Sequence, residues 1–191
     1  MTKSLYIVGA PGAGKSTLMS EILRGWQVGP YEKWTSREMF GHVLRREGRT
    51  GAYLGHLRPE YPGTDALSLS VSPQAAIWLE SLPLLGLDWV FGEGARLGHV
   101  GFLRQLDAYA DLTVIHLACS EEVARERRLS RGGKQLTETF SKTQTSAANS
   151  VAQACEDQGI RVWRLDTEGE SWIGDCLSTV EKLFNACTLS T

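Results

Sequence analysis

The chain has 191 residues, 42% of them hydrophobic and 22% charged, an ordinary balance for a single soluble domain (residues 1–191) that buries about 70% of its unfolded surface. A formal net charge of −2 excludes a protein that coats nucleic acid by charge alone, while leaving room for a local basic groove. There is no run of 18 apolar residues and the N-terminal apolar stretch soon ends in glycines, so the expectation is no membrane span, no signal peptide and a cytoplasmic location.

Leu5-Tyr6-Ile7-Val8 reads as a short buried strand. Gly9-Ala10-Pro11-Gly12-Ala13-Gly14-Lys15-Ser16 follows at once and fits the pattern G-x-x-x-x-G-K-[ST]. Thr17 leads into a helix with apolar residues at 18, 19, 22 and 23, the spacing of one helical face. Strand, glycine loop and helix in this order make a triphosphate cradle from Gly9 to Thr17: backbone N–H groups turn inward, and the positive helix end faces the same anion. Lys15 is expected to reach the β- and γ-phosphates, and the Ser16 hydroxyl to ligate Mg²⁺. A chance match in a chain of this length has a probability on the order of 1 per cent, so a nucleoside triphosphate is the expected ligand.

Gly25 to Gly29 punctuate a turn around Trp26, and Tyr31 to Thr35 reads as a short second strand. Ser36 to Arg46 has helical spacing, with Met39, Phe40, Val43 and Leu44 on its apolar side. A loop rich in Gly, Arg and Pro is expected from Gly48 to Gly51 and from Gly55 to Asp65. Its length makes it functional or disordered, and its aromatics and arginines favour function. Ser72-Pro73 has the pattern of an N-cap followed by proline at the first helical position, leading a helix to Ser81. The strand Leu87–Phe91 ends at Gly92-Glu93-Gly94, a helix covers Val100–Ala108, and Leu112–Ala118 is the clearest strand. Ser120-Glu121-Glu122 opens a charged helix to Ser130, which Arg131-Gly132-Gly133-Lys134 breaks. A polar helix from Thr137 to about Asp157, a strand Gly159–Asp166 and an amphipathic helix Glu170–Asn185 complete the chain. This alternation implies a three-layer α/β/α sandwich with a mostly parallel sheet and ligands at the carboxyl ends of its strands.

Cys119, Cys155, Cys176 and Cys187 are scattered without a C-x-x-C pair and read as reduced thiols. His42, His56, His99 and His116 are equally dispersed, so no structural metal is expected.

Phosphoryl transfer needs charge neutralisation and alignment, with a base for an acceptor hydroxyl. Glu93, just past an apolar strand, can face Mg²⁺ (directly or through water) and the acceptor; an ordinary surface acid is the plain alternative. Arg96 can hold an acceptor phosphate or pair with Glu93. Asp65 rivals Glu93 as the base, with turn capping as its alternative. Arg125, Arg127, Arg128 and Arg131 crowd one helix end, with Lys134 beyond. They suit the helix dipole, with Glu121 and Glu122 pairing to Arg125, and they also suit a lid over about residues 125–142. In such a lid Arg128 and Arg131 contact the transition state, Lys142 joins from the next helix, and Arg127 is solvated. Trp34, Tyr53, His56, Arg58 and Tyr61, within an acceptor-binding segment of about 31–72, form a candidate stacking pocket for a planar acceptor. Core packing explains each of them singly.

With these residues in view the chain resembles the P-loop kinases of the nucleoside and nucleotide kinase type over nearly its whole length. Three local strings are narrower: Gly63-Thr64-Asp65-Ala66-Leu67-Ser68, Gly92-Glu93-Gly94-Ala95-Arg96-Leu97, and Lys134-Gln135 followed by Ser141-Lys142-Thr143 and Ala148-Asn149. They look like those of bacteriophage kinases that phosphorylate 5-hydroxymethyluracil within DNA. That resemblance implies ATP as donor, a hydroxymethyl acceptor, DNA as partner and, for a phage-encoded chain, the host cytoplasm. The chain lacks the Asp-Arg pair of thymidylate kinases, and Glu93-Gly94-Ala95-Arg96 differs from the Glu-Arg-Ser of deoxynucleoside kinases. A free nucleoside or nucleoside monophosphate is the alternative acceptor, and a P-loop ATPase acting as a switch is the contrasting class.

Overall fold

A computed structural model describes residues 1–35, 39–58, 62–130, 132, 136–169 and 171–186, with side chains to Lys182. Arg131, Lys134, Tyr61, Glu170 and Cys187 therefore lie outside the described residues.

The centre of the molecule is β1 (Lys3–Gly9), buried over Ser4–Val8 on both faces, as a run of apolar residues in a parallel sheet requires. It pairs in parallel with β5 (Trp89–Glu93) on one side and β6 (Asp111–Ala118) on the other. β7 (Arg161–Asp166) extends the sheet beyond β6, and β4 (Arg49–Leu54) lies parallel beside β5. β2 (Gln27–Lys33) and β3 (Phe40–Arg46) then add an antiparallel edge, giving the order β2-β3-β4-β5-β1-β6-β7. The sheet is thus mostly parallel.

Helices cover both faces. On one, α2 (Ser72–Ser81), α3 (Val100–Tyr109) and α5 (Glu138–Asp157) pack Trp78, Leu79, Phe102, Leu106 and Cys155 over Tyr6, Val90 and Val114. On the other, α1 (Lys15–Ile22) and α6 (Trp172–Ala186) bury Leu18, Met19, Trp172 and Val180 against Leu5, Ile7 and Phe91. Each such aliphatic side chain contributes about 1.5–3 kcal/mol of burial. The short, charged α4 (Glu121–Ser130) instead caps the carboxyl end of the sheet, where its one buried residue, Ala124, meets the glycine loop. Among the described residues no helix is long and apolar enough to cross a membrane.

The region read as helix 36–46 and loop from 48 onward folds differently. Residues 40–46 are β3 and Arg49–Leu54 is β4, joined by the two-residue turn Glu47-Gly48, both with positive φ (50° and 78°). Met39 and Val43 do share helical spacing, but Val43 is only half-buried while Gly41, His42 and Leu44 are buried, which a helix exposing one face would not allow. The hydrogen bonds that β4 and β2 offer on either side favour strand. Strand β5 also runs two residues further than its apolar run, so Glu93 is the last strand residue rather than a loop acid. Ser72 is the first residue of α2 rather than its cap: Val71 occupies that position.

Candidate active site

A cleft of about 710 Å³ opens at the carboxyl ends of β1 and β5, between the glycine loop and the segment that follows β4. Gly12 and Gly14 have φ of 94° and 95°, which only glycine adopts without strain. Both also lack room for a side chain. A Cβ on Gly12 would lie 2.4 Å from the Ala124 carbonyl oxygen, and one on Gly14 would lie 2.7 Å from the Trp172 ring. The general motif does not demand glycine at position 12; the close approach of α4 does.

Lys15 sits at the first turn of α1, and its ammonium donates to the carbonyls of Gly9 (2.8 Å) and Ala10 (3.0 Å). It therefore lies across the loop mouth, beside the N–H groups of the helix N-terminus, as an anion cradle requires. Ser16 points the other way and donates to Glu93 Oε2 at 2.9 Å.

Glu93 is 2% exposed. Burial raises its pKa, while the Lys15 charge and hydrogen bonds from Ser16 and Tyr53 lower it again. Tyr53 donates to Oε1 at 3.2 Å, and burial beside this carboxylate keeps its phenol protonated. The Ser16 hydroxyl and Glu93 carboxylate are hard oxygen donors side by side, a set that fits Mg²⁺ completed by phosphate oxygens and water.

The backbone behind Glu93 is fixed by the segment that follows β4 and by β1. Gly55 N–H donates to Phe40 and residues 56 and 63 bridge, which brings Gly63 (φ 66°) against Glu93, where a Cβ would lie 2.6 Å from its Cγ. Thr64 Oγ1 donates to the Glu93 carbonyl at 2.8 Å, and Tyr6 OH donates to the Gly94 carbonyl at 3.0 Å. Asp65 Oδ1 accepts from the N–H groups of Ala95 (2.8 Å) and Arg96 (3.1 Å), while the residue also lines the cleft. Arg96 forms no ion pair with Glu93; its Nε is buried without a partner.

Three expectations require correction. Arg127 is not solvated: it donates to Thr167 Oγ1 (3.0 Å) and carbonyl (2.5 Å) and lies 5.4 Å from the Trp172 ring centroid. Arg127, Trp172 and Gly14 thereby stack behind the glycine loop, an arrangement that joins residues far apart in sequence. Glu121 pairs with Arg128 and accepts from Ser141 rather than serving Arg125, because α4 and α5 converge there. Lys142 pairs with Glu138 on the exposed side of α5 and is not among the residues that line the cleft.

The aromatic cluster is also divided. Tyr53 is buried beneath Glu93, and Trp34 stacks on Trp78 at 5.3 Å on the opposite face of the sheet. Arg58 lines the cleft, and His56 stacks at 4.1 Å on Tyr31 of β2. Arg128, by contrast, reaches the site: Nη1 donates to the Pro11 carbonyl at 2.7 Å and Nη2 to Glu121 at 3.3 Å.

The family described as P-loop Nucleotide Kinase3 matches residues 1–168. A search of the curated proteins finds no match. Among solved structures, a gluconokinase from Sinorhizobium meliloti 1021 aligns with TM-score 0.55 at 18% identity, covering 99% of this chain and 98% of that one. Deoxyadenosine kinase from M.mycoides aligns with TM-score 0.53 at 16% identity, covering 96% and 99%. A sugar kinase from Janibacter sp. HTCC2649 gives TM-score 0.52 at 15% identity, covering 95% of each chain. These likenesses share the three-layer α/β fold described above. The family match spans most of the chain and includes the loop, Glu93 and α4, so the protein belongs to the P-loop nucleotide kinase family and is a phosphotransferase.

Proposed function

We propose that this enzyme transfers the γ-phosphate of ATP to a hydroxyl group on a nucleobase-bearing acceptor, with 5-hydroxymethyluracil in DNA as the preferred substrate. The observation that carries the phosphotransfer is the position of the Glu93 carboxylate: buried, bonded to Ser16 of the glycine loop, and facing the cleft that the acceptor segment also lines. Within a single domain, about residues 31–72 hold the acceptor and about 125–142 act as a lid.

Lys15 and the N–H groups of the loop and α1 neutralise the β- and γ-phosphates. Arg128, anchored on the Pro11 carbonyl, adds charge from the lid side, with Arg131 in the same role. Ser16 and Glu93 would hold Mg²⁺, which supplies charge neutralisation on the phosphate oxygens. Glu93 takes the proton from the acceptor hydroxyl, its pKa raised by burial toward a value that suits a base. The unpartnered Nε of Arg96 is a donor for an acceptor oxygen.

The acceptor preference rests on two supports. One is the set of strings around Asp65, Glu93 and Ser141. The other is the Tyr31–His56 stack beside Arg58, a flat wall and a cation next to the cleft. A free nucleoside or nucleotide is the second reading, favoured by the shared fold of deoxyadenosine kinase, whose structure holds dCMP and dCDP.

Transfer of labelled γ-phosphate to hydroxymethyluracil-containing DNA, compared with thymidine and its monophosphate, tests the acceptor. Label in DNA supports the first reading, and label in the free compounds alone supports the second. Rapid ATP hydrolysis unaffected by any acceptor would mark an ATPase switch and overturn both.

A further inference from the structure

We propose a second anion site at the opposite end of α1, built to take a phosphate group. A cavity of about 640 Å³ lies there between the end of α1, the β3–β4 turn and α6, a volume in the ordinary range for ligand pockets. Arg24, Arg46 and Arg49 line it, and Arg45 stands in an adjoining hollow of about 420 Å³ that shares Arg46 and Arg49.

Two features of this cluster lack an internal explanation. Arg46 and Arg49 are directly opposed cross-strand partners, so two like charges face each other on a rigid two-residue turn, an arrangement that is destabilising unless an anion bridges it. The Arg46 guanidinium also extends over Gly25, the residue that follows Arg24 in the chain. The second feature is Trp26, which lines the same cavity, is 7% exposed, and has an indole N–H buried without a partner. An unpaired buried donor has a desolvation cost that an acceptor oxygen would remove.

Three acids line the cavity as well, and they leave Arg49 uncompensated. Glu21 is engaged by Arg24 at 2.6 Å, and Glu47, on an exposed side chain, reaches Arg46 only at 3.7 Å. Glu181 lines the α6 side. Arg49 has no ion-pair partner among the described residues. Guanidinium forks lining a hollow, with an unpartnered indole N–H buried in its wall, suit the tetrahedral oxygens of phosphate. That phosphate belongs either to a nucleic-acid backbone or to a free nucleotide. The inference holds whatever the acceptor of the kinase reaction.

The test is nitrogen-edited NMR of the tryptophan indoles, with the Trp26 signal assigned by Trp26→Phe. The full-length protein is first saturated with a non-hydrolysable ATP analogue, so that the glycine loop is filled. It is then titrated with inorganic phosphate, a deoxynucleoside monophosphate and a short DNA duplex. A saturable Trp26 shift that weakens about tenfold or more in Arg46→Gln/Arg49→Gln supports the site. Tighter, salt-sensitive binding of the duplex identifies the backbone as the source, and equal binding of the monophosphate identifies the free nucleotide. No saturable shift with any probe, or an unchanged shift in the double variant, overturns the proposal. The double variant removes a like-charge pair and should melt no lower than wild type; should it fail to fold, Arg49→Gln alone carries the same comparison.

Discussion

The Tyr53 hydroxyl donates to Glu93 Oε1 at 3.2 Å, on the carboxylate oxygen that Ser16 leaves free. Burial disfavours the Glu93 charge, and these two donors with Lys15 offset part of that effect. Tyr53→Phe keeps the packed ring and removes one donor, so the carboxylate is misaligned and its pKa rises further. Turnover is expected to fall about tenfold with little change in the KM for ATP. Steady-state kinetics with both substrates varied would refute this if KM for ATP rose and turnover held.

Glu93→Gln should separate activity from stability. Burial holds the folded-state pKa of Glu93 above its ordinary value of 4.5, so folding favours the protonated form. Stability from this residue is therefore present at acid pH and lost as pH rises through the raised folded value. In chelator-treated protein at neutral pH, Glu93→Gln should melt at or above the wild-type temperature, and the difference should vanish near pH 4. Phosphoryl transfer should nonetheless drop by roughly 10²–10³. A lower melting temperature at neutral pH would contradict the assigned sign.

Asp65 acts on the backbone. Its Oδ1 accepts two consecutive N–H groups after Glu93, and an asparagine oxygen can accept both. Asp65→Asn is expected to retain transfer within about threefold, whereas Asp65→Ala should cost about 1–2 kcal/mol in urea unfolding, as the loss of a cap does. Loss of single-turnover transfer in Asp65→Asn, together with its survival in Glu93→Gln, would exchange the two roles.

The glycine loop is legible in the sequence because a phosphate cradle of backbone N–H groups from Gly9 to Ser16 with the Lys15 ammonium is built from contiguous residues. β1, β5 and β6 are legible because strands covered on both faces must be apolar throughout. The hairpin β3–β4 was obscured by Met39 and Val43, whose spacing suits a helix as well as a half-buried strand. The dipeptide Glu47-Gly48 was the local signal for it. Tyr53 looked like a loop aromatic for the same reason, since its place beneath Glu93 follows only once β4 lies beside β5. Sequence sets Arg127 apart from Arg128, but it does not show what Arg127 packs against. One turns toward Thr167 and Trp172, the other toward Pro11, and the difference depends on β7 and α6, which come far later in the chain.

That difference makes Arg128 testable. It ties α4 to the glycine loop through the Pro11 carbonyl while Glu121 holds its other nitrogen. Arg128→Ala should weaken ATP binding and lower turnover by about 10²-fold, because positioning and charge are lost together. Arg128→Lys should restore little, since one ammonium cannot reach both partners with fork geometry. Rescue to near wild-type turnover by lysine would show that charge alone matters there.

Cys155 in α5 and Cys176 in α6 are 0% and 1% exposed, and burial pushes both thiols up to about 11 from an ordinary 9.0. Well below pH 9 both are neutral whether the chain is folded or not, so they exert no pH dependence there. Between about 9 and 11 the unfolded chain ionises them and the folded one does not, and stability falls as pH rises. Urea midpoints measured across that interval should decline for wild type and decline less steeply for Cys155→Ala/Cys176→Ala, even though the double variant starts lower through lost packing. Parallel slopes would show that these thiols ionise as readily inside the fold as outside it. The same burial predicts that iodoacetamide at pH 8 leaves both unmodified until urea unfolds the protein, because the thiolate is the reacting species.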